Sequence, residues 1–293
     1  MADLPVPSPD SRVPDYLLVL RANQRWWTLE WRALWEHLDL LKVLVRRDLT
    51  TRYRQTILGP LWFVVQPIVM ALILSAVFAR AARIPTDGVP PMLFYMASLL
   101  GWNFFSQCVG QIGSTFMSNG DLFTKVYFPR LVVPLSVVIS NLATLGLQLA
   151  LFFAFYLYYS VSGKFQGDGL DWRILALPFL VVQLATLSLG TGLMIASFTA
   201  RFRDLLHAMQ FLLLGWMFLS PVFLPLSQFT GRLRPIVYLN PVAPIIESFR
   251  EILLGVGAVQ PSMILSSVGA SFVVLLIGLI LFQRAARTIV DTV

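Results

Sequence analysis

The chain has 293 residues, of which 57% are hydrophobic and only 13% charged, and its formal net charge is +7. A soluble domain carries about 25% charged residues, whereas here the charges leave six uncharged stretches, 55–79, 88–120, 131–163, 174–200, 205–231 and 252–283. Each is long enough for a membrane-crossing helix of roughly 20 apolar residues, which excludes a soluble enzyme, a disulfide-stapled secreted scaffold and a disordered chain.

The expected fold class is all-α. It is a polytopic membrane protein with six transmembrane helices, an N-terminal amphipathic interface helix and short re-entrant helices before the last span. The single cysteine, Cys108, permits no internal disulfide and no cysteine-based metal cluster. His37 and His207 are too far apart in sequence to suggest a metal site, so none is expected.

In chain order, residues 1–15 hold Pro5, Pro7, Pro9 and Pro14 and read as a flexible tail. No apolar run follows Met1, so no cleavable signal peptide is expected. Residues 16–54 read as a cytoplasmic amphipathic region. Trp31, Leu34, Trp35, Leu38, Leu41 and Val45 recur at helical spacing, opposite Arg32, Glu36, Asp39 and Arg46. Trp26, Trp27, Trp31 and Trp35 suit the headgroup zone, where an indole ring is apolar and its N–H stays wet. Such a helix lies in the cytoplasmic membrane interface or packs on another protein subunit, and both could hold.

Residues 55–293 form the transmembrane domain, with spans near 61–82, 90–112, 131–158, 174–199, 206–225 and 262–282. With the N-terminus placed inside, the inner segments hold 15 Lys and Arg and the outer segments 7. Positive residues resist translocation, so both termini are expected in the cytoplasm. Ser188, Gly192, Ala196 and Ala200 form a small-residue ridge that lets helices approach closely, within the chain or between copies. The connector 226–261 is apolar and interrupted by Pro235, Pro241 and Pro244, which fits short helices dipping back into the outer membrane zone.

The span cores hold no Asp, Glu, Lys or Arg to seat ion coupling. The chain also lacks a Gly-x-x-x-x-Gly-Lys-Ser/Thr phosphate loop. Either energy comes from elsewhere or the protein is passive, and an external ATPase would fit. Three polar islands lie between the spans. The first is Arg47-Asp48 to Trp62, basic and broken by Gly59-Pro60. The second is Asn119 to Arg130, one short helix between turn signals. The third is the tight turn Arg201-Phe202-Arg203-Asp204.

These islands, with Ser220-Pro221-Val222 and Leu239-Asn240-Pro241, carry a resemblance over about residues 40–290. The chain resembles the permease subunit of polysaccharide and polyol-phosphate ABC exporters of the ABC-2 type, which move O-antigen, capsule or teichoic acid chains. The resemblance implies two permease copies and two copies of a separate ABC ATPase in a bacterial plasma (inner) membrane. The substrate it implies is an undecaprenyl-type lipid-linked glycan. ATP and Mg would sit on the partner, with no cofactor bound by this chain.

Arg52, Arg54, Leu58 and Gly59 would then face the lipid pyrophosphate at a side portal. Asp121, Leu122, Phe123, Lys125 and Tyr127 would dock into the ATPase. Trp62, Tyr95, Trp102, Phe105 and Trp216 are candidate channel aromatics, since sugar C–H faces stack on rings. Tyr238, Asn240, Glu247 and Arg250 would belong to an outer gate. Asn103 and Gln107, one turn apart, offer hydrogen bonds to sugar or to a neighbouring helix.

Two other readings compete. One is an ABC-2 exporter of a drug or other small molecule. The other is a membrane enzyme acting on lipid-linked sugars, for which Asp48, Asp121, Asp204, Glu247 and Glu251 are the candidate acids; no two of them form a convincing pair.

Overall fold

The structure is a computed structural model that describes residues 35–53, 59–120, 128–165, 171–229, 231, 233–257 and 259–291. Among these residues all regular structure is helical. The N-terminal tail and Trp26, Trp27 and Trp31 lie outside the described residues.

Helix α1, Leu38–Tyr53, carries the charged approach to the membrane domain. Its Leu40, Leu41 and Leu44 pack against Phe128, Val132 and Val133, while Trp35, just before it, is exposed. The helix therefore rests on its own chain. Gly59 ends the approach with φ 51°, a left-handed value open to glycine at little cost, and a single tight turn, Gly59–Leu61, leads into the next helix.

Helix α2, Trp62–Leu74, continues as a π-helical turn, Ser75–Ala81. Helix α3 follows as Pro91–Gly113, starting on a proline whose missing N–H would have had no partner in a first turn. Next come α4, Val132–Val161, and α5, Leu177–Thr199, the latter entered through a 3-10 turn whose Asp171 side chain accepts from Trp172 N. Helix α6 is Leu205–Phe218, α7 Leu233–Leu239, α8 Val242–Leu254 and α9 Pro261–Asp291.

Among the described residues, four segments are long and apolar enough to cross a membrane: Trp62–Ala81, Val132–Val161, Trp172–Thr199 and Pro261–Arg287. The other two expected spans differ from them, each for a physical reason. Helix α3 has 23 residues, about 35 Å of rise, but it carries Ser98, Asn103, Ser106, Gln107 and Gln111. It tolerates them because it runs through the middle of the bundle, mostly buried by α4, α5 and α8. Helix α6 stops at Phe218, short of the expected 225. Pro221 and Pro225 bring no backbone donor, and the chain turns at 219–225 instead.

Helices α3, α4, α5, α8 and α9 form the tight body, and α2 and α6 flank it. The small-residue ridge works inside the chain. A methyl group on Gly192 would come within 2.7 Å of Ile112 Cβ on α3. Where α5 crosses α9, one on Gly190 would come within 2.6 Å of the Leu275 backbone, and one on Gly278 would land on the Gly190 carbonyl.

Backbone thus meets backbone between α5 and α9, and no larger residue fits. Gly278→Ala should destabilise the purified protein by about 1–3 kcal/mol. Gly269→Ala on the same helix, where a methyl group meets nothing within 4 Å, should change little. Thermal unfolding of both variants in detergent checks this, and equal midpoints would refute the crossing.

Candidate functional site

The flanking helices α2 and α6 leave an open groove against α3, with a cavity volume of about 420 Å³. Trp62, Gln66 and Met70 line it from α2, Trp102 and Asn103 from α3, and Met217 from α6. Among the described residues, the side chains of Gln66 and Asn103 make no hydrogen bond, so two amides face the groove with donors and acceptors free. Trp62 is half exposed, and Trp102 is buried at the groove's back wall.

Behind the groove the candidate aromatics interlock. Trp102 lies 5.8 Å from Phe105, and Phe105 meets Trp216 edge to face at 5.1 Å, joining α3 to α6. Phe105 is fully buried and supports the wall rather than lining it. Tyr95 is also fully buried, two turns earlier on α3, and its hydroxyl has no hydrogen-bond partner among the described residues. The structure therefore brings Trp62, Trp102, Phe105 and Trp216 together and leaves Tyr95 apart.

The end of the bundle where α3 begins is built on α8. Helix α8 is buried from Val242 through Arg250. Its Glu247 and Arg250, three residues apart and hence on one face, form an ion pair with side chains only 2% and 1% exposed. Arg250 also donates to Ser98 Oγ at 3.4 Å, and its guanidinium lies 4.5 Å from the centre of the Phe94 ring. A cation over an aromatic face is attracted by the ring's negative face. The next residue, Glu251, accepts from Arg173 at 3.3 Å, tying α8 to the turn before α5.

Glu247 and Arg250, expected at an outer gate, lie outside the six span cores, which were expected to hold no charge. The spans are uncharged, yet a buried ion pair enters through the connector. Its i, i+3 spacing was visible; its burial was not.

Asn240, between α7 and α8, uses its whole amide. Its Oδ1 accepts from Trp216 Nε1 at 2.9 Å and from Val242 N at 3.0 Å. Its Nδ2 donates to Leu219 O at 3.1 Å and to Ser220 Oγ at 2.9 Å. Tyr238, on α7, meets the Arg234 guanidinium, 5.3 Å from its ring centre.

At the opposite end, α1 joins the bundle through a polar contact. Arg47 pairs with Asp48 at 2.9 Å and donates to Asn119 Oδ1 at 3.3 Å. Ser136 on α4 reaches Asp48 at 3.5 Å. Arg52 lies in the last turn of α1, and its side chain lies outside the described residues, as do Arg54 and Leu58. Asp121, Leu122, Phe123, Lys125 and Tyr127 also lie outside the described residues. Asn119 and Phe128, which bracket that stretch, both touch α1 residues. Gly59 has no heavy atom near its missing side chain. Asp204 and the rest of the 201–204 turn are exposed.

An all-helical bundle whose polar islands sit at helix ends agrees with the sequence comparison. The ABC-2 type transporter family matches residues 39–254. The chain belongs to this family. Among relatives, it is 34% identical over 224 residues to the O-antigen export system permease protein RfbA of Myxococcus xanthus, covering 75% of this chain and 82% of that one. It is 25% identical to the RfbA of Klebsiella pneumoniae, over 84% of this chain and 92% of the relative. It is also 25% identical to the polysialic acid transport protein KpsM of Escherichia coli, over 83% and 92%.

This ABC-2 chain is thus a multi-pass membrane component of a transporter, not an enzyme, and its family implies an ATPase partner. The Glu247–Arg250 ion pair of α8 lies within the matched region.

Removing one member of that pair leaves the other charge buried. Arg250→Leu should lower the stability of this ABC-2 chain by about 3–5 kcal/mol, and Glu247→Leu with Arg250→Leu should recover most of it. Detergent-resistance and thermal-unfolding midpoints of the single and double variants check this. A double variant no better than Arg250→Leu would show that the pair is not the anchor.

Proposed function

We propose that this chain is the membrane subunit of an ATP-driven exporter of lipid-linked polysaccharide. Two permease copies would work with two ATPase copies in a bacterial plasma membrane, both termini cytoplasmic. The observation that carries this reading is the groove between α2, α3 and α6. It pairs two tryptophans, Trp62 and Trp102, with two free amides, Gln66 and Asn103.

A glycan in transit needs weak holding at many points, because tight binding would stop it. Indole rings accept the C–H faces of successive sugars without a fixed hydrogen-bond pattern, and free amides exchange hydroxyl partners as the chain moves. The names of the relatives, O-antigen export and polysialic acid transport, support a glycan as the cargo. The positive-inside count supports the cytoplasmic termini.

A second copy is supported by the faces beside the groove. Leu61, Val69 and Ile73 on the α2 side are exposed, as are Phe211, Leu214 and Phe218 on α6. Two such half-grooves facing each other would enclose a channel. In this scheme Arg52 and Arg54 meet the lipid pyrophosphate, because the guanidinium fork matches phosphate oxygens. Residues Asp121 to Tyr127 then receive the ATPase, and α1, touching both ends of that stretch, carries its displacement.

Cells lacking the protein should accumulate lipid-linked glycan on the cytoplasmic leaflet, and the native gene should clear it. Trp62→Ala and Asn103→Ala should assemble normally and export at roughly a tenth to a third of the native rate, as expected for losing one stacking or hydrogen-bonding contact. Labelling surface glycan against complex abundance reads this out. Accumulation of a small hydrophobic compound in place of glycan would overturn the reading.

A further inference from the structure

Helix α6 forms one wall of the groove, yet only Met209 and Met217 of its 14 residues are buried. Its first end hangs from the exposed turn at 201–204. Its last end is held differently. The Trp216 indole, the Leu219 carbonyl and the Ser220 hydroxyl all bond to one amide, that of Asn240. Ser220 in turn donates back to Trp216 O at 2.9 Å, closing the knot.

What Asn240 is attached to is firm. The next carbonyl, Pro241 O, accepts from Ser267 on α9 at 2.6 Å, and Ser267 accepts from Gln183 on α5 at 2.9 Å. Further along, α8 is fixed to α3 through Arg250 and to the turn before α5 through Glu251. The start of α8 is thus part of the rigid body, while α6 is a lightly packed helix tied to it.

We propose that Asn240 is a positioning residue for the translocation groove: it is the pivot that fastens α6 to the body, holding Trp216 against Phe105 behind the groove and setting where Met217 stands on its wall. This rests on the exporter reading and adds to it. Its chemistry is specific, because both donors and both accepting positions of the amide are used. Aspartate keeps the accepting side toward Trp216 and Val242 but loses the donors to Leu219 and Ser220. Alanine loses all four bonds. A pivot of this kind lets α6 swing as cargo passes while its end stays in register with the aromatic pair Phe105 and Trp216.

The test uses the complete complex, permease with its ATPase, in nanodiscs. Amide hydrogen exchange is followed in 205–224 and compared with α3, α5 and α9. Asn240→Ala should exchange about tenfold faster in 205–224 alone, with glycan export lost and ATP hydrolysis kept, a split that general destabilisation would not produce.

Trp216→Phe keeps the ring on Phe105 and removes one bond, so it should show the same pattern more weakly. It also serves if Asn240→Ala fails to assemble. Unchanged exchange in 205–224, or faster exchange spread over the whole bundle, would overturn the pivot. Exchange is read without cargo, so a failure of the polysaccharide reading shows separately, as a native complex that moves no glycan.

Discussion

A polar group in the interior of this protein is costly without a partner, because an apolar surrounding offers no water to replace one. That requirement explains where the chain is irregular. The helix that stops at Phe218 exposes carbonyls, and the Asn240 amide takes one of them together with the Ser220 hydroxyl. The pair Glu247 and Arg250 survives in the core because Ser98 and the Phe94 ring complete the guanidinium's surroundings. Each departure from uniform apolar helix is matched by a side chain from another element.

The same requirement sets the place of α3. Its serines and amides would be costly against lipid, so it runs through the centre of the bundle, where Gln111 bonds to Asn141 of α4 at 3.2 Å. A central polar helix then needs flanks, and α2 and α6 supply them only in part. The groove is the space they leave, and its polar lining comes from Asn103 of α3 and Gln66 of α2. Groove lining and packing core are two faces of one helix.

Much of this was legible in the residues. Four of the six uncharged stretches overlap segments long and apolar enough to cross a membrane, Gly59-Pro60 marks the entry to α2, and Asn240-Pro241 marks the break between α7 and α8. Helix α6 was harder to read. Its apolar run continues past Phe218 to Leu226, so hydropathy could not register that Pro221 and an amide 20 residues away would turn the chain. The aromatics were a similar case. Trp62 and Tyr95 are both aromatics within apolar stretches, yet one borders the groove and the other is buried two turns away on α3, and only packing separates them. The amide pair of Gln66 and Asn103 was half visible: Asn103 stood out as polar in a span, and its partner on a different helix did not.

The glycine crossing of α5 and α9 has a consequence for how such proteins diversify. Two helices in backbone contact share one surface, and neither can be replaced by a relative's version without the matching counterpart. A chimera whose α9 brings a residue larger than glycine to position 278 would set a side chain against the Gly190 carbonyl, whereas one that exchanges α5 and α9 together carries its own matched contact. Recombination between relatives should respect that pairing, and α6, tied to Asn240 at the start of α8, should travel with α8.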